Sequence, residues 1–447
     1  MCRICGLFLS FVLMAAPVAS DELPGDQLQD EVLSLLEDLV APTRAVREDA
    51  TEQLLKLAGP TTAEADAVLA ALPEPNEQML PVFRERLAKL RKQVEQQAAR
   101  RAVTAARVTL DTILTPLAEV IANIEKQTGN KISDRREQFG QEVDKRPITV
   151  TVRDKPFWEA IDEVLDQGEL SLYPFAGEGE MAIIDREADE APRRGAAAYA
   201  GPFRFEATQI TARRALRSLN QKSLLVEIEI AWEPRLRPIA LTQSLQEVVA
   251  TSEKGVRLSF SQPERVINVE APPTAQATNI TLPFLLPSRE TTQIASLKGK
   301  LQALVPGRSV EFRFKNLNQF PQAVADGGAK PAPIVQQRGG VAVSLHDVRK
   351  NGEIWEVHMR LSLDEAGDSL ASHRGWVFQN KTMLVDKQGA PIEHSGYETT
   401  MQTQSEVGIA YLFDLPDGPA GLTWVYQTPA AVVTLPIEYE LKQIVLP

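Results

Sequence analysis

The sequence predicts a multidomain α+β protein with an N-terminal helical segment, a small αβ module of two helices on short sheets, and a C-terminal all-β sandwich region. Three observations predict it. Apolar residues recur at helical spacing up to about residue 106, a strand–helix–strand rhythm then occurs twice between 107 and 185, and beyond 203 the alternation shortens to a period of two. At 447 residues the chain is longer than one hydrophobic core usually organises, so several cores are expected. With 43% hydrophobic and 24% charged residues it has the balance of ordinary globular protein, which sets aside the disordered and fibrous classes.

The first stretch, "MCRICGLFLSFVLMAAPVAS", has one basic residue, Arg3, then an uncharged apolar run from Ile4 to Ala16, then small residues before Asp21. That pattern predicts a secretory signal peptide over 1–20, cleaved after Ser20, and the run is too short for a bilayer-spanning helix. Both cysteines, Cys2 and Cys5, lie ahead of the run, so an exported mature chain would fold by burial alone, without disulfides. This suits a bacterial-type envelope, placing the chain in the periplasm or cell envelope. The net charge of −12 argues against nucleic acid as a partner.

From 21 to 106 the chain reads as helical. Val32, Leu35, Leu36 and Leu39, then Ala50, Leu54, Leu55 and Leu57, form two amphipathic runs separated at Pro42 and stopped at Gly59-Pro60. The piece "PTRAVREDATEQLLKLAG" resembles one HEAT-type helical repeat. A long helix is expected from Pro81 to Ala106, with a stripe of Leu80, Phe83, Leu87, Leu90 and Val94. Arg84 to Arg107 holds eight basic and two acidic residues, a run expected to be a solvated face.

The paired rhythm follows. "RVTLDTILTPLAEVIANIEKQTGNKI" and "ITVTVRDKPFWEAIDEVLDQGELSLYPF" each give an extended run, a proline at the start of a helix (Pro116, Pro156), and a glycine suited to a left-handed cap at its end (Gly129, Gly168). "EMAIID", 180–185, reads as one more strand. On these residues the stretch 107–185 resembles the secretin and TonB short N-terminal domain. That resemblance implies a small periplasmic protein-interaction module without catalytic residues. The polar insert "SDRREQFGQEVDKR" departs from the family's pattern, and no array of membrane strands follows. The remainder is similar to exported bacterial proteins that end in a β-sandwich region.

Residues 186–202, "READEAPRRGAAAYAGP", read as a linker. From 203 to 447 about a dozen short strands are expected, in one sandwich or in two subdomains, 203–272 and 273–447, divided at Pro272-Pro273. Asn351-Gly352 is expected to form a type I′ hairpin turn.

Chemistry is sparse. No Gly-x-Ser-x-Gly, His-Glu-x-x-His, Walker loop or Gly-x-Gly-x-x-Gly occurs, and no catalytic, cofactor-binding or metal-ligating residue is assigned. His346, His358, His373 and His394 lack the spacing of ligands carried by one helix or turn. Asp364, Glu365, Asp368, Ser372 and His373 crowd one loop, which reads as solvated rather than as a triad. Trp232, Trp355, Trp376, Trp424, Tyr411 and Tyr426 are expected mainly in the core. "AWEPRLRP", 231–238, is the candidate contact surface through Trp232, Arg235 and Arg237. These readings predict an exported non-catalytic interaction or scaffold protein with an envelope protein partner and no membrane span after cleavage. A polysaccharide-binding protein and a hydrolase with a dispersed site are the alternatives.

Overall fold

The computed structural model describes residues 25–447 except 60–61, 74, 76–77, 144–145, 174–176, 178, 196, 218–221, 272–274, 322–330, 364–374 and 404. The expected signal peptide, Pro272-Pro273 and the loop from Asp364 to His373 therefore lie outside the described residues. Strands make up 47% and helices 24%, so the class is mixed α+β with several sheets and β dominant. The chain divides into two compact units, one reaching to Gly59 and resuming over Ala63–Arg91, the other comprising Lys92–Pro447 with Thr62.

The first unit holds α1 (Gly25–Asp38), α2 (Arg44–Leu57), α3 (Thr62–Ala71) from Ala63 onward and the start of α4 (Pro81–Ala102). Val32, Leu36, Leu39, Leu54, Val68, Leu87 and Leu90 are buried at the expected helical spacing. Leu80 is exposed, so the α4 stripe begins one turn later than its spacing suggests. Part of the basic run is committed internally. Arg86 donates to the Leu39 carbonyl at 2.9 Å, just past α1, and Arg91 donates to the Leu72 carbonyl at 2.8 Å, just past α3. Both cations satisfy carbonyls that a helix end leaves without partners. α4 stops at Ala102 instead of Ala106, because Val103 is drawn into the β core.

In the second unit the paired rhythm folds as β1 (Arg107–Pro116), α5 (Leu117–Thr128), β2 (Lys131–Asp134), β3 (Pro147–Pro156), α6 (Phe157–Gln167), β4 (Leu170–Tyr173) and β5 (Glu180–Asp185). β1 and β3 pair antiparallel about the central couple Asp111↔Thr151, while β2, β5 and β4 form a three-stranded sheet in that order. Adding 40 to a residue number in the first half gives its counterpart in the second. Arg107↔Pro156 maps onto Pro147↔Pro116 and Leu110↔Val152 onto Val150↔Thr112, so the ladder has internal pseudo-twofold symmetry. Both strands alternate buried and exposed residues in the same order. Val108, Leu110, Ile148, Val150 and Val152 face a core shared with Val120, Ile124, Ile161 and Val164 from the helices. One expectation is corrected at a cap: Gly129 is left-handed (φ 69°), but Gly168 is not, and Glu169 takes that conformation instead (φ 50°). A Cβ at Gly168 would lie 2.9 Å from Leu170 Cδ1, so the buried Leu170 side chain would have to shift to admit one.

The β region contains β6 (Ala197–Ala200), β7 (Phe203–Arg214), β8 (Lys222–Trp232), β9 (Ala240–Ser244), β10 (Val249–Ser252), β11 (Arg257–Leu258), β12 (Val266–Glu270), β13 (Ala277–Phe284) and β14 (Gln293–Phe314). It continues with β15 (Ile334–Arg338), β16 (Val341–Asn351), β17 (Ile354–Leu363), β18 (Thr382–Val385), β19 (Pro391–Glu393), β20 (Gly396–Gln402), β21 (Glu406–Asp414) and β22 (Thr423–Val445). β14 and β22 are far longer than the short strands expected. Their antiparallel ladder keeps one register from Gln293↔Val445 to Phe314↔Trp424, so Pro306-Gly307 and Pro429, which look like breaks, lie within it. At Pro429 the reason is geometric. Gln427 donates its N–H to Lys381, away from β14, so Pro429, two residues on, directs its missing N–H to the same outer side.

Two cores flank this ribbon. The first lies between its Gln293-proximal half and the four-stranded sheet β13-β8-β7-β6, and contains Phe203, Phe205, Ile228, Leu282, Leu301, Tyr439 and Leu441. The second lies between the other half and the five-stranded sheet β15-β16-β17-β21-β20, and contains Phe312, Leu345, Val357, Ile409, Tyr411, Trp424 and Tyr426. The division thus crosses β14 and β22 near 305–310 instead of falling at Pro272-Pro273, and strands on both sides of that dipeptide fill the same first core. At the β16–β17 hairpin Asn351 pairs with Ile354, so the two-residue loop is Gly352-Glu353. Gly352 has φ 60° and Glu353 is not positive, which corresponds to type II′ instead of the expected I′.

Candidate functional site

Trp232, the first residue of the expected contact surface, ends β8 with its side chain 1% exposed in the core. It is not available to a partner, because the even-numbered residues of β8 from Leu224 to Trp232 face inward. Glu233 follows, also fully buried. Its Oε1 accepts the Ala106 N–H (2.9 Å), and its Oε2 accepts Asn130 Nδ2 (3.2 Å) and Arg235 Nε (2.7 Å). Arg235 also gives its backbone N–H to Asn130 Oδ1 (3.0 Å) and a guanidinium N–H to the Thr104 carbonyl. Arg235 is thus a structural cation in a clasp joining the end of α4, the α5–β2 turn and β8. Of the three expected residues Arg237 is exposed, lying beside Gly179 ahead of β5.

A second clasp was hidden in the stretch that reads as a linker. Asp162 of α6 is fully buried and accepts Arg193 Nε at 2.9 Å, Arg204 Nε at 2.6 Å and the Tyr199 hydroxyl at 2.8 Å. Asp166, one turn on, accepts the backbone N–H groups of Arg193 and Arg194 at 2.8 and 2.9 Å. Arg193 and Arg194 are therefore held to α6 ahead of β6, and β6 itself falls within the stretch that reads as a linker. Burial alone would raise the Asp162 pKa, but Arg193 and Arg204 outweigh it and hold the carboxyl below its ordinary range. Glu229, paired across β7–β8 with Glu206, has its pKa raised by burial, against the opposing pull of Arg193 and Arg204.

The polar insert is similarly self-contained. Arg136, 1% exposed, forms a fork with Asp134 (Nε–Oδ1 3.0 Å, NH2–Oδ2 2.8 Å), while Arg146 lies 2.7 Å from Asp185 and Arg135 3.0 Å from Glu180. These pairs fold the insert against β5. They also leave Phe139 half exposed, edge-on to Tyr173 at 4.9 Å.

The module's own helices occupy outward-facing groups of its strands. Gln127 of α5 bonds both the N–H and the C=O of Thr109, Gln167 of α6 accepts from Thr149 N, and Glu125 accepts from Ile132 N. Such capping blunts edges that would otherwise recruit another strand. Opposite each threonine the other strand bulges. Ile113-Leu114 bulges opposite Thr149, and its counterpart Arg153-Asp154 bulges opposite Thr109, with φ 48° at both Leu114 and Asp154. In the second bulge Asp154 is fastened to Arg107 at 2.9 Å. In the first, Ile113 and Leu114 are 77% and 70% exposed. The fold therefore needs an irregular pair at this place but does not need it to be apolar.

Other candidate residues are dispersed. His346 is the extra residue of a β16 bulge, its Nε2 2.9 Å from Ser344 Oγ; His358 Nε2 is 2.7 Å from Glu356 Oε2; and His394 Nδ1 is 3.2 Å from the Gly396 carbonyl. Among the described residues no three His, Cys, Asp or Glu side chains converge as metal ligands would. Trp376 and Trp424 are buried, and Trp355 packs half-buried on the second core, so the β-region tryptophans do not form an exposed row. Asn380 spends its amide on Tyr426 and Thr428, at 2.8 and 3.0 Å.

Glu356, 5% exposed, is held by Asn351, His358 and Arg349; burial opposes ionisation, but these hydrogen bonds lower its pKa to about 2. A carboxylate shifted downward adds stability that is complete above its unfolded value and is lost as pH falls toward the folded one. Glu356→Gln is therefore expected to lower stability by about 1–2 kcal/mol at pH 7. In a pH series of urea unfolding, the difference from wild type should shrink between about pH 4.5 and 2.

No described helix is long and apolar enough to cross a membrane. Compared with family models, curated proteins and solved structures, the chain matches none.

Proposed function

We infer that this chain is an exported, non-catalytic interaction or scaffold protein of a bacterial-type envelope, and that residues 107–185 provide a docking module for another envelope protein. The observation that carries the reading is the unequal pair of bulges. One half of the duplication closes its bulge with an ion pair, whereas the other presents two aliphatic side chains to solvent. Leucine in the left-handed region is disfavoured by about 1–2 kcal/mol, a penalty that glycine avoids. Holding Leu114 there, exposed, favours contact with a partner over folding as its role. The N-terminal run Ile4–Ala16 and the resemblance to the secretin and TonB short N-terminal domain support the envelope setting.

Deleting the module would be a poor test. Its core extends to Ala231 and Ala277 of the β region, and removing it would take Asn130 from Glu233 and Asp162 from the buried Arg193 and Arg204. Point substitutions avoid this. Leu114→Gly should leave folding stability within about 1 kcal/mol, because relief of the strained φ offsets glycine's greater unfolded-state entropy. Ile113→Ser together with Leu114→Gly should abolish recovery of the protein partner from envelope extracts. Unchanged recovery by a folded double variant would overturn the module's proposed role.

A further inference from the structure

We propose that the β7–β8 hairpin end is a docking point for an anionic lipid surface, with Arg213, Arg214, Arg217 and Lys222 contacting headgroups and Leu216 entering the interface. The chain carries −12 overall, yet residues 211–222 hold four cations and no acidic residue. All four are exposed, and among the described residues none has a hydrogen-bond or ion-pair partner. Leu216, between them in sequence, is 88% exposed.

The strand register sharpens this concentration of charge. β13 accompanies β8 only as far as Phe284↔Leu224, so the couples Arg213↔Ser223 and Arg214↔Lys222 extend past it as a two-stranded end. Arg214 and Lys222 are direct cross-strand partners, an arrangement of like charges that destabilises a ladder. Nothing described in the folded chain compensates for that repulsion. An anionic surface would relieve it, and would also cover the leucine.

A lipid surface fits better than an acidic protein or a nucleic acid. The feature is a narrow hairpin end with one apolar side chain among cations, which suits insertion between headgroups; the −16 carried by the remaining residues would repel a long polyanion. Basic residues near an anionic leaflet add attraction that decays within a Debye length, so the contact should be salt-sensitive.

Cosedimentation tests this with the chain beginning at Asp21, which keeps every described residue. Vesicles of phosphatidylcholine with about 30% phosphatidylglycerol, at about 0.1 M salt, should bind the protein, and pure phosphatidylcholine should not. Replacing all four cations by glutamine should weaken partitioning by about 100-fold or more. Leu216→Ser alone should weaken it several-fold without changing its salt dependence. Circular dichroism checks that each variant is folded, and because all five side chains are exposed the single variant Arg214→Gln offers a milder version with about five-fold loss. No binding to anionic vesicles, equal binding by folded wild type and quadruple variant, or retention on an acidic polypeptide without vesicle binding would each overturn the proposal.

Discussion

Replacing Asp162 with asparagine is expected to lower folding stability by about 3–5 kcal/mol, the largest effect of any single polar substitution considered for this chain. The carboxylate is fully buried between Arg193 and Arg204, which are themselves buried, and it accepts three hydrogen bonds. Asparagine supplies one acceptor oxygen and turns an N–H₂ toward a second donor, so a guanidinium is left uncompensated in the interior. Urea unfolding would measure the loss. The converse substitution distinguishes stability from specificity. Replacing Asp162, Arg193 and Arg204 together with apolar residues of similar volume should be much less damaging than removing the anion alone, because no buried charge then lacks a partner.

The same substitution predicts a pH signature. Asp162 is held below its ordinary range, so its contribution is complete above about pH 4, its unfolded value, and disappears as pH falls through the folded one. Glu229 works in the opposite sense. Its raised pKa favours the folded state below the ordinary glutamate value, and that advantage is lost as pH rises through the raised one. Asp162→Asn should therefore flatten the acid limb of the stability profile, while Glu229→Gln should remove a loss that sets in at milder pH. A wild-type acid limb that survives Asp162→Asn unchanged would rule out this assignment.

Gly299→Ala should be nearly as damaging, at about 3 kcal/mol or more. A Cβ at this position would lie 2.3 Å from Tyr439 Cζ, directly across the β14–β22 ladder. Tyr439 cannot easily yield. Its ring stacks on Phe205 with centroids 4.3 Å apart, and its hydroxyl donates to the buried Gln243 side chain at 3.1 Å. The glycine thus leaves room for an aromatic ring that closes the first core over the ribbon. Removing the ring should remove the penalty. In a Tyr439→Ala background the cost of Gly299→Ala should fall below about 1 kcal/mol, and an equal cost in both backgrounds would show that the strain lies elsewhere.

Much of the local architecture was legible. Helical spacing in Val32–Leu39 and the forty-residue rhythm after Arg107 fix which side chains turn inward, because α and β periodicities decide faces whatever lies opposite. The alternation of β8 likewise marks Leu224, Val226, Ile228 and Ile230 as core. Longer-range features were not legible. Pro306-Gly307 looks like a break until a partner strand in register carries β14 through it. "AWEPRLRP" looks like an exposed polar stretch, but Glu233 and Arg235 find their partners at Asn130, Ala106 and Thr104, more than a hundred residues earlier. The bulges were missed because a bulge is a relation between two strands. Their threonines at equivalent positions, Thr109 and Thr149, were the available clue.

The sequence by itself determined the two periodicities, the helix starts after Pro116 and Pro156, and the forty-residue duplication that begins at Arg107. Each depends on neighbours within a turn or two. Tertiary structure decided where the β cores divide, which charges are buried in clasps, and which remain free at the hairpin end. Burying an arginine or a carboxylate is tolerable only when a distant partner arrives in the right geometry, and a linear reading of residues cannot supply that partner.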